Sequence, residues 1–198
     1  MAGNRKASIK RETKETQITL ELDLDGSGKA EVSTGIGMLD HLIEQIAKHG
    51  IIDIKLSAKG DLSTDEHHTV EDVGLVLGQA LNEALGDRAG IVRMADATVP
   101  LDEALATVAV DLSGRGYAVL DVAWTGDRLG ELPVDLVNHL LWSLASEGKM
   151  TLNARVISGV NDHHKAEVVM KALGRALSAA SRPEPRRQGS VPSTKGTL

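Results

Sequence analysis

The chain contains no cysteine and no phenylalanine. The first absence excludes disulfides and any thiolate metal site. The second, with two Trp and one Tyr as the whole aromatic content, leaves a core to be built from Val, Leu, Ile, Ala and Met. No apolar run approaches the roughly 18 residues of a membrane span, and the first residues hold no apolar segment of the signal-peptide kind, so a cytoplasmic protein without a membrane partner is expected. Acidic residues outnumber basic ones, 28 to 22, and the net charge of -6 argues against a broad nucleic-acid surface. The basic residues that are present are unevenly placed, with Arg182, Arg186, Arg187 and Lys195 gathered in the last 17 residues. A length of 198 residues suffices for a real core, as one large domain or as two small ones fused.

What the chain does have is a repeat. His67-His68-Thr69-Val70-Glu71 returns 96 positions later as His163-His164-Lys165-Ala166-Glu167, and Gly78-Gln79-Ala80-Leu81 meets Gly174-Arg175-Ala176-Leu177 at the same offset. Leu39-Asp40-His41-Leu42 is answered, at nearly that spacing, by Val137-Asn138-His139-Leu140. Six of the seven histidines thus fall into three pairs, only His49 standing alone, as a duplicated gene would place them. In a helix, residues i and i+4 share a face while neighbours point about 100° apart. His67 and Glu71 can therefore meet one ion that His68 cannot easily join, and the same holds for His163, Glu167 and His164. Each motif addresses two ions. The eight donors His41, His67, His68, Glu71, His139, His163, His164 and Glu167 make four for each of two ions, leaving two octahedral positions open. Imidazole with carboxylate and no thiolate suits Mn, Fe, Co, Ni or Zn, and expanded coordination favours Mn or Fe. A lone His-His pair reads as solvated surface; the repeat, with Glu in step both times, reverses that reading. Spacing does not apportion the donors between the ions.

Residues 7–24 alternate, with Ile18, Leu20, Leu22 and Leu24 set against Thr19, Glu21 and Asp23, which predicts an N-terminal hairpin. Asp23-Leu24-Asp25-Gly26-Ser27-Gly28 opens like a calcium loop, but its twelfth position is Thr34, where a bidentate Glu is needed, so it reads as a turn. A strand over 29–34, a helix from Met38 to Lys48, a strand from Ile51 to Leu56, a polar loop from Gly60 to Glu66 and a helix of about 17 residues from the first His-His complete the first half. The second half reads as strands Ile91–Thr98, Ala104–Leu112 and Tyr117–Asp121, a helix from Val134 to Ser146, the strand Met150–Ile157 and the second His-His helix to Ala180. Two half-repeats, 1–88 and 89–181, each with a four-stranded sheet and two helices, predict an α+β fold packed helix to helix. The tail, 182–198, carries Pro183, Pro185 and Pro192 without apolar periodicity, and composition alone makes it disordered. Ser193 and Lys195 within it could nevertheless grip an anion.

Five segments in order carry a likeness to a known family: Thr34-Gly35-Ile36-Gly37-Met38-Leu39-Asp40-His41, Asp65-Glu66-His67-His68-Thr69-Val70-Glu71-Asp72, Asp111-Leu112-Ser113-Gly114-Arg115, Asn161-Asp162-His163-His164-Lys165-Ala166-Glu167 and Pro192-Ser193-Thr194-Lys195-Gly196. Over roughly Ala7 to Leu198 the chain resembles the imidazoleglycerol-phosphate dehydratase family of histidine biosynthesis, with Met38 where an aromatic is common, variation expected at Glu66 and no fused phosphatase domain. The resemblance implies a ribosomal protein S5 domain 2-like fold, two Mn2+ ions per active site, and a hollow 24-subunit particle with active sites between subunits. It carries over the same eight metal ligands, a phosphate grip of Arg93, Arg115, Ser193 and Lys195, and Glu15 and Lys171 near the reacting carbons, Glu15 as base and Lys171 as a candidate acid. The implied reaction takes D-erythro-1-(imidazol-4-yl)glycerol 3-phosphate to 3-(imidazol-4-yl)-2-oxopropyl phosphate and water, through a Mn-bound imidazolate and a diazafulvene. Two other classes use similar donors. A metal-dependent hydrolase of a small phosphorylated substrate would release inorganic phosphate, and a metal-storage cage would have no use for Arg93, Arg115 and Lys195.

Overall fold

The structure, a computed structural model of the chain, describes residues 5–187 and 189–196; positions 188, 197 and 198 of the expected tail lie outside them. The first half contributes β1 (Lys6–Glu12), β2 (Thr16–Asp23), β3 (Ala30–Ser33), α1 (Gly37–Gly50), β4 (Asp53–Gly60) and α2 (His67–Leu85). The second contributes β5 (Met94–Leu101), β6 (Ala104–Asp111), β7 (Tyr117–Asp121), a short pair β8 (Arg128–Leu129) and β9 (Leu132–Pro133), α3 (Val134–Glu147), β10 (Thr151–Ser158) and α4 (Asp162–Ser181). The two four-stranded sheets have one topology, β1-β2-β4-β3 and β5-β6-β10-β7. In each, the last pair is parallel, because a crossover helix, α1 or α3, separates its two strands.

Period-two burial turns Ile18, Leu20 and Leu22 of β2 inward beside Leu56 and Ile54 of β4, and Ala106, Val108 and Val110 of β6 beside Ala154 and Leu152 of β10. Each sheet carries its own helices, and helix packs on helix across the halves, α2 on α3 and α1 on α4. The halves share one hydrophobic core, in which branched aliphatics do the filling that aromatics do elsewhere. The glycines of the repeat explain how closely the helices meet. A Cβ on Gly78 of α2 would stand 2.7 Å from the backbone of Leu144 and Gly148, and one on Gly174 of α4 would stand 2.6 Å from the Ile46 carbonyl oxygen of α1. Only hydrogen fits at either crossing.

The α+β reading and the helix-to-helix packing are found. Several boundaries differ, each for a local reason. The strand expected at Ile91–Thr98 runs from Met94 to Leu101, because Arg93 takes a left-handed φ of 80° and Ile91 pairs with Pro183 of the tail. The strand expected from Ile51 starts at Asp53, since Ile51 closes α1 in the left-handed conformation with φ 55°. The β8–β9 hairpin was not anticipated: two-residue strands around Gly130 are too short for a period to show. The tail departs furthest from expectation. Val92 N–H donates to Arg182 O, Glu184 N–H to Gly90 O and Gly90 N–H to Ser190 O, and Pro192 is buried. Composition registers the lack of core-forming side chains there, but the tail is held by backbone bonds along residues 90–93. Among the described residues no helix is long and apolar enough to cross a membrane.

Candidate metal centre

Both His-His motifs open helices, and the start is set by the residue two places earlier. Asp65 Oδ1 accepts from His67 N–H at 2.8 Å and Asn161 Oδ1 from His163 N–H at 2.9 Å, the same device at the repeat offset. Starting the helix there puts the histidines in its first turn and the glutamate one turn on, so that His67 faces Glu71 and His163 faces Glu167. The close crossings at Gly78 and Gly174 then bring in a histidine from the opposite half.

Two groups of three donors result. His41 of α1 joins His163 and Glu167 of α4, and His139 of α3 joins His67 and Glu71 of α2, with the donor atoms of each group within 4.8 Å of one another. His41 Nε2 lies 3.1 Å and His163 Nε2 2.9 Å from Glu167 Oε1; His67 Nε2 and His139 Nε2 lie 4.0 and 3.7 Å from the two oxygens of Glu71. Packing thus brings six of the eight expected donors into two groups, and His68 and His164 join neither. The fit of a cation can be tested on the protein alone. His41 Nε2 and His139 Nε2 are both shielded from solvent and have no hydrogen-bond partner among the described residues: the carboxylate oxygen 3.1 Å from His41 lies outside hydrogen-bond geometry, and the one 3.7 Å from His139 is out of reach. In each group a shielded imidazole nitrogen stands beside a carboxylate with a second imidazole within 4.8 Å, which suits an ion between them; in the α1–α4 group His163 Nε2 and Glu167 Oε1 also share a hydrogen bond of 2.9 Å. Two imidazoles and one carboxylate are donors for a divalent first-row metal.

His68 and His164 point out of these groups, as the 100° rule requires, and each is held by a carboxylate. His68 Nδ1 lies 3.1 Å from Asp61 Oδ2, and His164 Nδ1 lies 2.8 Å from Glu103 Oε2. These contacts raise both imidazole pKa values, with the Asp61 and Glu103 hydrogen bonds as the main causes. The His164 bond, with N–H donors of Asn161 and Val160, lowers Glu103 to about 2.

The groups are not equivalent, and the repeat does not predict the difference. Lys171 Nζ lies 2.6 Å from Glu167 Oε2, whereas the position 96 residues earlier is Leu75. Burial is the largest influence on Glu167 and opposes its ionisation, yet the Lys171 ammonium and the His41 and His163 contacts outweigh it and bring the carboxyl to about 2. Glu15 lies elsewhere, on the turn between β1 and β2, in a depression it shares with Asp61 but not with Lys171. That turn is fastened to α2 through Asp72, the neighbour of Glu71, which accepts from Arg11 Nε at 2.9 Å and from the Thr16 hydroxyl.

Arg93, Arg115, Ser193 and Lys195 line one cavity of about 690 Å³ with Pro192 and Arg187. Arg93 donates to both oxygens of Asp111, at 2.7 and 3.0 Å, and to Pro192 O at 2.6 Å, so it also seats the tail; two of its five N–H donors have no partner among the described residues. Arg115 is exposed on its loop. Sequence reasoning passed over Arg187, Asp61 and Glu103. The basic cluster near the C-terminus was a signal for Arg187; nothing in the spacing marks the other two.

Residues 34–177 match the family model described as imidazoleglycerol-phosphate dehydratase. Curated relatives bearing that name include proteins of Dehalococcoides mccartyi, 60% identical over 98% of this chain and 97% of the relative, and of Chloroflexus aggregans, 54% identical over 100% and 97%. Among solved structures, the imidazoleglycerol-phosphate dehydratase of Staphylococcus aureus superposes with a TM-score of 0.82 at 30% identity, covering 90% of this chain and 99% of that one. The Pyrococcus furiosus enzyme superposes with a TM-score of 0.83 at 36% identity, covering 96% of this chain and 100% of that one.

Proposed function

The chain belongs to the imidazoleglycerol-phosphate dehydratase family, and we propose that it removes water from D-erythro-1-(imidazol-4-yl)glycerol 3-phosphate to give 3-(imidazol-4-yl)-2-oxopropyl phosphate in histidine biosynthesis. The observation that supports this reading best is the pair of three-donor groups, each assembled from both halves and each with a shielded imidazole nitrogen without a hydrogen-bond partner among the described residues. We assign two Mn2+ to them, one held by His41, His163 and Glu167 and the other by His67, Glu71 and His139. His68 and His164, turned outward, would complete the groups of neighbouring copies in the 24-subunit particle, giving each ion four protein donors.

The reaction needs such ions because the proton to be lost adjoins no carbonyl and is not acidic. Ions held by His41, His163 and Glu167 and by His67, Glu71 and His139 would supply Lewis acidity that favours the deprotonated imidazole ring, so that its electron density would help the adjacent hydroxyl to leave. The remaining steps fall to the chain's own groups. Arg93, Arg115, Ser193 and Lys195 hold the phosphate, guanidinium forks and an ammonium being suited to a dianion. Glu15, exposed and without a side-chain partner among the described residues, takes the proton from the carbon next to the departing hydroxyl. The resulting enol is reprotonated as it becomes the ketone, and Lys171 is the candidate donor.

The test is an assay with the phosphorylated imidazole diol. The expected result is the keto phosphate without inorganic phosphate, lost on chelation and restored by Mn2+. Release of inorganic phosphate would favour the hydrolase instead, and metal binding without turnover would favour a storage cage.

A further inference from the structure

Asp61 and Glu103 have no place in the chemistry above, yet each faces a histidine assigned to a metal. We infer that they are positioning residues which fix the ring orientation and tautomer of His68 and His164, so that each ring offers Nε2 as a donor; the inference rests on the metal reading of those histidines. A carboxylate can only accept, so the contacts of 3.1 and 2.8 Å require hydrogen on Nδ1 in both rings. A neutral imidazole protonated at Nδ1 has its lone pair at Nε2, the atom that points away from the carboxylate.

The two carboxylates come from different places in the duplicated fold. Asp61 follows β4, whereas Glu103 sits on the turn between β5 and β6. The counterpart of that turn in the first half is the β1–β2 turn, and it carries Glu15. Where Asp61 takes the histidine, the turn glutamate has no side-chain partner among the described residues; where no such aspartate stands, the turn glutamate takes the histidine itself. The position 96 residues after Asp61 is Ile157, which cannot accept a hydrogen bond. The halves thus reach one arrangement at His68 and His164 by different routes, which chance surface pairing does not explain.

The grips also differ in freedom, and this separates positioning from bracing. Glu103 Oε1 accepts from Asn161 N–H at 2.9 Å and from Val160 N–H at 3.2 Å, while Oε2 takes His164. In Glu103→Gln the amide oxygen is kept by those two N–H groups, so the NH2 faces Nδ1 and draws its proton to Nε2. Asp61 lies with both oxygens near His68 Nδ1, at 3.3 and 3.1 Å. Asp61→Asn can therefore turn its oxygen to the ring, and only Asp61→Ala should lose the effect.

The measurement is Mn2+ equilibrium dialysis on the full chain, with melting of the metal-free protein alongside. Wild type should bind two ions per chain. Glu103→Gln and Asp61→Ala should each weaken one class of site about 10–100-fold and spare the other, Asp61→Asn should stay near wild type, and metal-free melting should not move. Wild-type affinity at both sites in Glu103→Gln would overturn the inference alone, as would a fall in its metal-free melting temperature that matched the metal loss. Wild type binding fewer than two ions would overturn the metal reading and this inference with it.

Discussion

Gly174→Ala tests whether the close helix crossing builds the metal centre. The new Cβ would meet Ile46 O at 2.6 Å, Gly50 N at 3.0 Å and Ile46 Cα at 3.1 Å, all backbone atoms of α1 that no rotamer change can move. Ordinary contact begins at 3.4 Å, so α1 and α4 must part by about 0.8 Å at this point. Overpacking of this kind costs about 1–3 kcal/mol, and the better helix propensity of alanine returns about 1 kcal/mol. The net loss is then about 0–2 kcal/mol, or a melting temperature lower by up to about 8 °C for a chain of this size. Metal affinity is the sharper reading, because His41 rides on α1 while His163 and Glu167 ride on α4. That group should bind Mn2+ about tenfold more weakly, removing about 1.4 kcal/mol of metal-dependent stabilisation, while the group of α2 and α3 is spared. Gly78→Ala should do the reverse. Thermal melts with and without Mn2+, beside equilibrium dialysis, measure both effects. A variant that melts higher and binds both ions as before would refute the idea that these glycines set the donor geometry.

Three further outcomes are expected. Glu15→Gln should keep Mn2+ content and substrate affinity while lowering kcat about a hundredfold or more, and a near-normal rate would remove Glu15 from the reaction. Asp162 is held at about 2 because the Lys165 ammonium and the Thr125 and Gly126 N–H groups outweigh burial, the largest influence and one that opposes ionisation. Its stabilisation is therefore complete above the unfolded value of 3.8 and lost as pH falls through about 2, so denaturant midpoints of the metal-free protein should fall across that window in wild type and less in Asp162→Asn. Lys195→Ala should lower kcat/KM by about 2 kcal/mol, roughly 30-fold, with metal content unchanged; an unchanged kcat/KM would free Lys195 from the phosphate grip.

Much of this architecture was legible in the sequence because duplication writes its constraints twice. The strands of β2 and β6 show their period directly, and the His-His-x-x-Glu spacing fixes which donors share a face before any packing is known. What stayed hidden depends on distance in space. Nothing local says that His41 meets Glu167 rather than Glu71; the crossing of α1 over α4, set by Gly174, decides it. The docked tail was hidden for a related reason, since backbone bonds between residues 90–93 and 180–190 leave no mark on composition.

The repeat reveals the scaffold and conceals the chemistry. A reaction that removes one proton and one hydroxyl needs a single base, and two equivalent half-sites would supply two of everything. The groups assigned here to chemistry are the ones that break the symmetry. Lys171 stands beside Glu167 where Leu75 stands near Glu71, and the Glu167 side chain is 13% exposed against 41% for Glu71. Asp72 fastens the Glu15 turn to α2, whereas its counterpart in α4 is Val168, which can fasten nothing by hydrogen bonding. Matching positions across the duplication therefore finds the donors assigned to metal, the Asp65 and Asn161 side chains that open the two His-His helices, and the crossing glycines. The positions at which the match fails, Leu75 against Lys171 and Asp72 against Val168, are where substitution should alter turnover more than it alters metal content.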